Sequence, residues 1–342
     1  MREVRHSRGA RHGREPIGNS SLHPLLMRHA GAAAPHEGGP VLYIDTETTG
    51  LMGGTGTFAF LIGVGVHDEH GFEVRQLFLP GPEHERSQLR SFAALVEGAS
   101  AVVTYNGATF DLPLLRNRFA LHGLPDPLAQ VPHLDLLHLA RRFWRETLPD
   151  CSLTTVERRI LGASRSLNDV PGFEVPARYF EFLRSWDASG LVGVIEHNET
   201  DIVALAALRS KFERLVEDPA TALAHEAHAM GLWMERLGEV ELALARYLEA
   251  ASARMEAGWH ASLLLKRLGR LEEAAKLWRT LGRQGMAAAW VELAKAQEHS
   301  WHDFRAALVS VAAAAECQDC EPDELEKRRE RLLRRLANGE LG

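Results

Sequence analysis

At 342 residues the chain is too long for one ordinary hydrophobic core and points to two domains. Its 45% hydrophobic and 25% charged residues suit a globular protein, and no apolar run approaches the ~20 residues of a bilayer helix. A net charge of −7 argues against blanket attraction to nucleic acid, and three cysteines argue against a disulfide framework and for a reducing cytoplasm. Of the 39 basic residues 34 are Arg, which suits bidentate phosphate contacts, although codon bias explains the skew at least as well.

Residues 1–38 carry Arg2, Arg5, Arg8, Arg11, Arg14 and Arg28 without periodicity or an apolar secretory stretch. They read as a flexible Arg- and His-containing arm, inert or in contact with phosphates. From Val41 the pattern is mixed α/β. VLYIDTET reads as a strand, GLMGGTGT as a turn, and FAFLIGVGV and FEVRQLFLP as two more strands of an antiparallel meander. EHERSQLRSFAALVEG is an amphipathic helix, with Leu89, Phe92, Leu95 and Val96 at helical spacing. AVVTYN is a fourth strand, TFDLPLLRNRFALHG opens a helix, and HLDLLHL is a short fifth strand running into LARRFW. Helices follow, ending with GLVGVIEHNETDIVALAALRSKFERLVE. The prediction for 39–218 is an α/β domain, a mixed five-stranded sheet with flanking helices.

From 219 to 342 the sequence is helical, Ala-rich and repetitive. Leu237-Gly238, Ala243 and Tyr247 recur 31 residues later as Leu268-Gly269, Ala274 and Trp278. A weaker copy runs from Trp290 through Asp303, Ala306 and Ala307. Small residues at fixed offsets let paired helices approach closely, and each hairpin needs a neighbour to cover its apolar face. This resembles the tetratricopeptide repeat in its short form and suggests a docking or bracing module, with a protein partner as one possible occupant. Cys317 and Cys320 with His299 and His302 are formally a zinc set, but the helical repeat has no turn chemistry to present them.

The chemistry concentrates in IDTETTG, residues 44–50. Side chains alternate along a strand, so Asp45 and Glu47 share a face at the end of a buried run. Two like charges that close repel unless something positive sits between them. Asp111 in YNGATFD falls in the first turn of a helix. Asp201 in EHNETD lies within a helix, with His197 one turn earlier on the same face. Each acid alone could be ordinary: a turn, a helix N-terminus, a surface residue. Four carboxylates beside buried segments point to a shared cation.

Asp-x-Glu on a first strand, Asn-x-x-x-Phe-Asp after a later one and a helical His-x-x-x-Asp resemble the three motifs of the DEDD (DnaQ-like) 3′–5′ exonucleases, which have a ribonuclease-H-like fold. With the helical repeats, the chain is similar to their bacterial YprB-type branch from about residue 40 to the end. The resemblance implies two Mg²⁺ or Mn²⁺ ions. Asp45 would be shared between them, Glu47 and Asp201 would complete one shell, and Asp111 would hold the second ion. His197 stands in the position of the general base, although His-bearing members usually place it five residues before the last Asp, and four is the Tyr spacing. One residue on a helix turns a side chain by about 100°. His197 therefore either orients water differently or only buttresses Asp201.

Candidate substrate contacts are Gly50 in the Gly50–Gly56 turn, Asn106, Asn198, and Arg141 and Arg142, which open an Arg-rich helical stretch with Arg145, Arg158, Arg159 and Arg165, interleaved with Phe143 and Trp144. A plain hairpin turn and solvated helix faces are the competing readings. The implied activity is exonucleolytic hydrolysis of single-stranded DNA or RNA. Two alternatives stand beside it: a catalytically weak nuclease fold acting as a protein-binding scaffold, and a structure-selective endonuclease.

Overall fold

The computed structural model describes residues 1–31, 39–50, 56–165 and 170–338. They form two compact units, Met1–Asp218 and Pro219–Gly342.

The described residues of the first unit include eight strands: β1 (Arg2–Ser7), β2 (Arg11–His12), β3 (Glu15–Pro16), β4 (Val41–Thr48), β5 (Ala59–Asp68), β6 (Gly71–Phe78), β7 (Ala101–Thr104) and β8 (His133–Asp135). The main sheet has the order β1-β6-β5-β4-β7-β8, with β2 and β3 forming a separate hairpin. β4, β5 and β6 are the antiparallel meander, whereas β7 and β8 run parallel to β4. Parallel neighbours need crossovers, supplied by α2 (Glu85–Val96) and α3 (Asp111–Leu121). Ahead of these lies α1 (Pro24–His29); after β8 come α4 (Leu136–Trp144), α5 (Leu153–Val156), α6 (Val175–Ser185) and α7 (Val192–Glu217).

Period-two alternation sorts β4 between two layers. Leu42 and Ile44 join Leu89, Phe92 and Phe119 in the core under α2 and α3. Tyr43 and Asp45 face the other way, toward α7, which lies over β4 to β6. That helix is buried on nearly every side from Asp201 to Phe212, which is why its apolar residues do not form a narrow stripe.

The sheet thus has six strands where the sequence predicts five, and the extra one comes from the expected arm. β1 pairs with β6 from Arg2↔Gln76 to Ser7↔Gly71. Gly71 (φ 146°) makes room for this approach, since a Cβ there would lie 2.1 Å from the His6 carbonyl. Further on, the wholly buried Arg209 of α7 donates to the carbonyls of Asn19 and Ser21, and Glu213 accepts from the His23 amide at 2.9 Å. The described part of 1–38 is therefore folded onto the domain and not a free arm. REVRHS has little hydrophobic alternation, because its hold is a backbone ladder plus ion pairs such as Arg5 with Glu73 at 3.0 Å. Periodicity does not register such forces.

The second unit is all helical: α8 (Ala224–Arg236), α9 (Val240–Ala250), α10 (Met255–Arg267), α11 (Leu271–Arg283), α12 (Ala287–His299), α13 (Phe304–Ala315) and α14 (Pro322–Ala337). Each packs on its chain neighbours, most extensively within α8–α9, α10–α11 and α12–α13. Gly238 (φ 80°) and Gly269 (φ 74°), 31 residues apart, end α8 and α10 in the left-handed conformation that closes helices. Ala243 and Ala274 are fully buried beside Tyr247 and Trp278, and Trp278 donates to the Ser262 hydroxyl at 2.9 Å. A Cβ on Gly231 would lie 2.5 Å from the Tyr247 ring. Gly231→Val is therefore expected to destabilise this unit by about 1–3 kcal/mol, read as an earlier urea transition of the full chain. Among the described residues no helix is long and apolar enough to cross a membrane.

Candidate active site

β4 delivers Asp45 and Glu47 as it leaves the core: Val41–Ile44 are buried and Asp45–Thr48 half-buried. Asp45 lies opposite Gly63 of β5, and a Cβ at Gly63 would come within 2.4 Å of Asn198 Oδ1. The glycine is what lets Asn198 of α7 sit over the strand. Its Nδ2 donates to Asp45 Oδ2 at 2.8 Å and to the Asp45 carbonyl at 3.2 Å. The ladder shifts register between Glu47 and Thr48, the kind of irregularity that re-aims a strand end.

Asp111 heads α3 and reaches back to the same strand. Its Oδ1 accepts from the Thr46 amide at 3.0 Å and the Thr46 hydroxyl at 2.5 Å. Asp201 comes from α7, and its Oδ2 is 3.4 Å from His197 Nε2. Its Oδ1 accepts from Arg165 Nη2, while Arg165 Nη1 is 3.2 Å from His197 Nδ1. Arg165 is anchored behind by Glu157, whose Oε2 accepts from its Nε at 2.6 Å.

Asp45, Glu47 and Asp111 line one cavity of about 500 Å³ with Gly50, Tyr105, Asn106 and Phe110. Asp201 is not on that lining, but its charge acts on Asp45 and Glu47. Desolvation pushes the Asp45 carboxyl well above the usual carboxylate range, and Asp201, Asp111 and Glu47 push it further. Glu47 is raised to about 8 by burial, against the pull of His197. Asp111 is raised to about 6 by burial, offset by its bonds from Thr46. Asp201 is raised by burial despite Arg165 and His197. The four acids are thus one electrostatic cluster short of positive charge. Among the described residues, no three His, Cys, Asp or Glu side chains stand ready-grouped around a metal position. Arg165 engages Asp201, Asn198 engages Asp45 and Thr46 engages Asp111. The donor set, desolvated carboxylate oxygens and no sulfur, fits a hard divalent cation such as Mg²⁺ or Mn²⁺.

The predicted substrate residues divide. Gly50 and Asn106 line the cavity; residues 51–55 of the glycine turn lie outside the described residues. Asn106 holds a left-handed conformation (φ 64°), its amide bound to Asp135 Oδ1 at 2.7 Å. Asp135 also accepts from the amides of Ala108 and Leu137, so it ties the 106–108 loop to the start of α4. Asn198 needs correction: it is completely buried and spends its amide on Asp45, so it cannot face a substrate. Arg141 lines a second cavity, of about 520 Å³, together with Arg145. Arg142 is half-buried, and its charge is felt at His29 of α1. Burial and then the Arg142 charge depress His29 of that helix to about 4. Adjacent residues on a helix point about 100° apart. Sequence reasoning placed Arg165 only among the Arg-rich stretch and missed Thr46. Thr46 sits between the two acids of the motif, a signal that was available; nothing in the spacing brings Arg165 to Asp201.

The sequence profile of the family RNase_H_2, described as RNase_H superfamily, matches residues 42–213. The chain belongs to the ribonuclease H superfamily. It is also 35% identical, over 366 aligned positions, to a Bacillus subtilis (strain 168) protein described as "Uncharacterized protein YprB", covering 99% of this chain and 86% of that one. Among solved structures, the family B DNA polymerase of the hyperthermophilic archaeon Pyrobaculum calidifontis aligns at 17% identity with a TM-score of 0.40. That alignment covers 59% of this chain and 30% of the polymerase, and a likeness so slight has no bearing on function. The superfamily match contains Asp45, Glu47, Asp111, His197 and Asp201; residues 1–41 and the helical unit lie outside it.

Proposed function

We propose that the protein is a metal-dependent nuclease of the DEDD type, a 3′–5′ exonuclease that hydrolyses single-stranded DNA or RNA. The observation behind this reading is the cluster of four desolvated carboxylates drawn from β4, α3 and α7 beside one cavity. Asp45, Glu47 and Asp201 would hold one Mg²⁺ or Mn²⁺, and Asp45 with Asp111 a second. Such ions, when bound, polarise the phosphate, generate the nucleophile and steady the leaving oxygen.

The chain's own groups supply the rest. With Nε2 toward Asp201, His197 has Nδ1 left to accept a proton from water, and Asp201 would steady the resulting imidazolium. Arg165 must then give up its place beside Nδ1. Phe110, half exposed at the cavity, offers a face on which a terminal base can stack. Phe110→Ala is expected to raise KM for short oligonucleotides about tenfold with little change in kcat, because stacking contributes about 1–3 kcal/mol per base. The helical hairpins of the second unit, with their 31-residue recurrence, are read as tetratricopeptide-like and as the surface for a protein partner.

The test uses purified protein with Mn²⁺ on end-labelled DNA and RNA. Stepwise release of nucleotides from the 3′ end supports the reading, and intact substrate identical to an Asp45→Asn control rules it out. Cutting of covalently closed single-stranded circles would instead make it an endonuclease. The Arg165–Asp201 pair favours one competing reading, a catalytically weak nuclease fold serving as a scaffold. Calorimetry that finds no Mg²⁺ or Mn²⁺ binding would select it.

A further inference from the structure

The superfamily match starts at Leu42, yet two of the four acids are wired to residues far ahead of it. Arg2 of β1, Gln76 of β6, Gly63 of β5 and Asp45 of β4 form a single row across the sheet. Along that row Arg2 Nη1 donates to Gln76 Oε1 at 2.6 Å, and Gln76 Nε2 donates to Asn198 Oδ1 at 2.9 Å. Asn198 Nδ2 then donates to Asp45 Oδ2 at 2.8 Å. A second path leaves the β2–β3 hairpin: His12 Nε2 lies 2.6 Å from Glu157 Oε1, and Glu157 holds Arg165 against Asp201.

The first path has a direction built in. An amide has a donor end and an acceptor end of nearly equal size, so nothing steric decides which way Gln76 or Asn198 points. A guanidinium can only donate, so Arg2 forces Oε1 of Gln76 outward and its NH₂ inward. The Ile195 carbonyl, accepting from Gln76 Nε2 at 2.8 Å, reinforces that choice. Asn198 must then offer Oδ1 to Gln76 and Nδ2 to Asp45. A flipped Asn198 would set an oxygen against the carboxylate.

Resting on the metal-nuclease reading, the structure assigns to Arg2, Gln76 and Asn198 a positioning role. The N-terminal strand sets the polarity of two buried amides and so fixes the orientation of Asp45 toward the cations. The strand that the sequence presents as an arm is, on this assignment, part of the active site.

The experiment measures Mn²⁺ affinity of the full chain by calorimetry, alongside the side-chain amide ¹⁵N resonances of Asn198. Arg2→Ala and the isosteric Gln76→Glu are each expected to weaken Mn²⁺ binding about 10- to 100-fold, the usual range for partners that orient a ligand. A glutamate at 76 can only accept, so it draws Nδ2 of Asn198 away from Asp45. Arg2→Lys, still a pure donor, is expected to recover most of the affinity. Arg2 also pairs with Glu199 at 2.7 Å. Glu199→Gln removes that ion pair and leaves the relay, so it should bind Mn²⁺ like wild type. Wild-type affinity and an unmoved Asn198 resonance in both Arg2→Ala and Gln76→Glu would overturn the assignment. If wild type itself takes up no Mn²⁺, the metal reading falls and the resonance decides the relay alone. A shift in Arg2→Ala then supports it, and no shift overturns it.

Discussion

Asp45→Asn is expected to abolish hydrolysis and, at the same time, to make the cation-free protein more stable. Asp45 is the acid whose proton affinity is raised most broadly, by burial and by all three other carboxylates. Neutralising it removes that repulsion, while an asparagine carbonyl can still accept from Asn198 Nδ2. The melting temperature without cations should therefore rise at pH 8. Activity should fall by on the order of 10³-fold, as when a preorganised electrostatic group is lost from a reacting centre. Opposite movement of the two quantities is the diagnostic, because functional sites hold like charges together at the expense of stability. Hydrolysis at the wild-type rate would mean that the cleft does something else.

The second large effect is a pH dependence that cations should erase. Glu47 and Asp111 have proton affinities raised to about 8 and about 6, above the unfolded values near 4. The folded state then binds more protons than the unfolded state between those limits, so stability falls as pH rises. Its contribution is full below the unfolded value and is lost as pH passes through the folded one. Without divalent cations, the melting temperature of the first unit should drop by about 5 °C or more between pH 5 and pH 9. Saturating Mn²⁺ should flatten this dependence, because the cation replaces the protons. Its affinity should climb with pH for the same reason. A cation-free melting temperature that is constant or rises over that range would show that the acids are not a shared cluster.

Much of the fold is readable from residues close in sequence. VLYI, FAFLIGVGV and AVVT are apolar runs of strand length, and Leu89, Phe92 and Val96 recur at helical spacing. Both patterns reflect one element burying one face, which needs no knowledge of the partner. The positions of Asp45, Glu47, Asp111 and Asp201 follow similarly, since each acid sits at the end of, or inside, an element that the pattern locates. β1 escapes this reading because its hold on β6 is made by backbone groups and ion pairs, which leave no hydrophobic period. Charge alone is equally uninformative in α4: an Arg-rich stretch shows that charge is present, not which side of the helix each guanidinium leaves by.

The amino-acid sequence by itself determined that this chain has a mixed sheet, a following helical array and four acids beside buried segments. Only the tertiary structure decided that Asn198 holds Asp45 rather than a substrate, that Arg165 stands beside Asp201, and that Arg2 belongs to the same network. Asn198 and Asp45 are 153 residues apart, and Arg2 and Gln76 are 74 apart. Hydrogen bonds between single polar groups at such separations depend on where the chain returns in space, and no local pattern of residue types encodes that return.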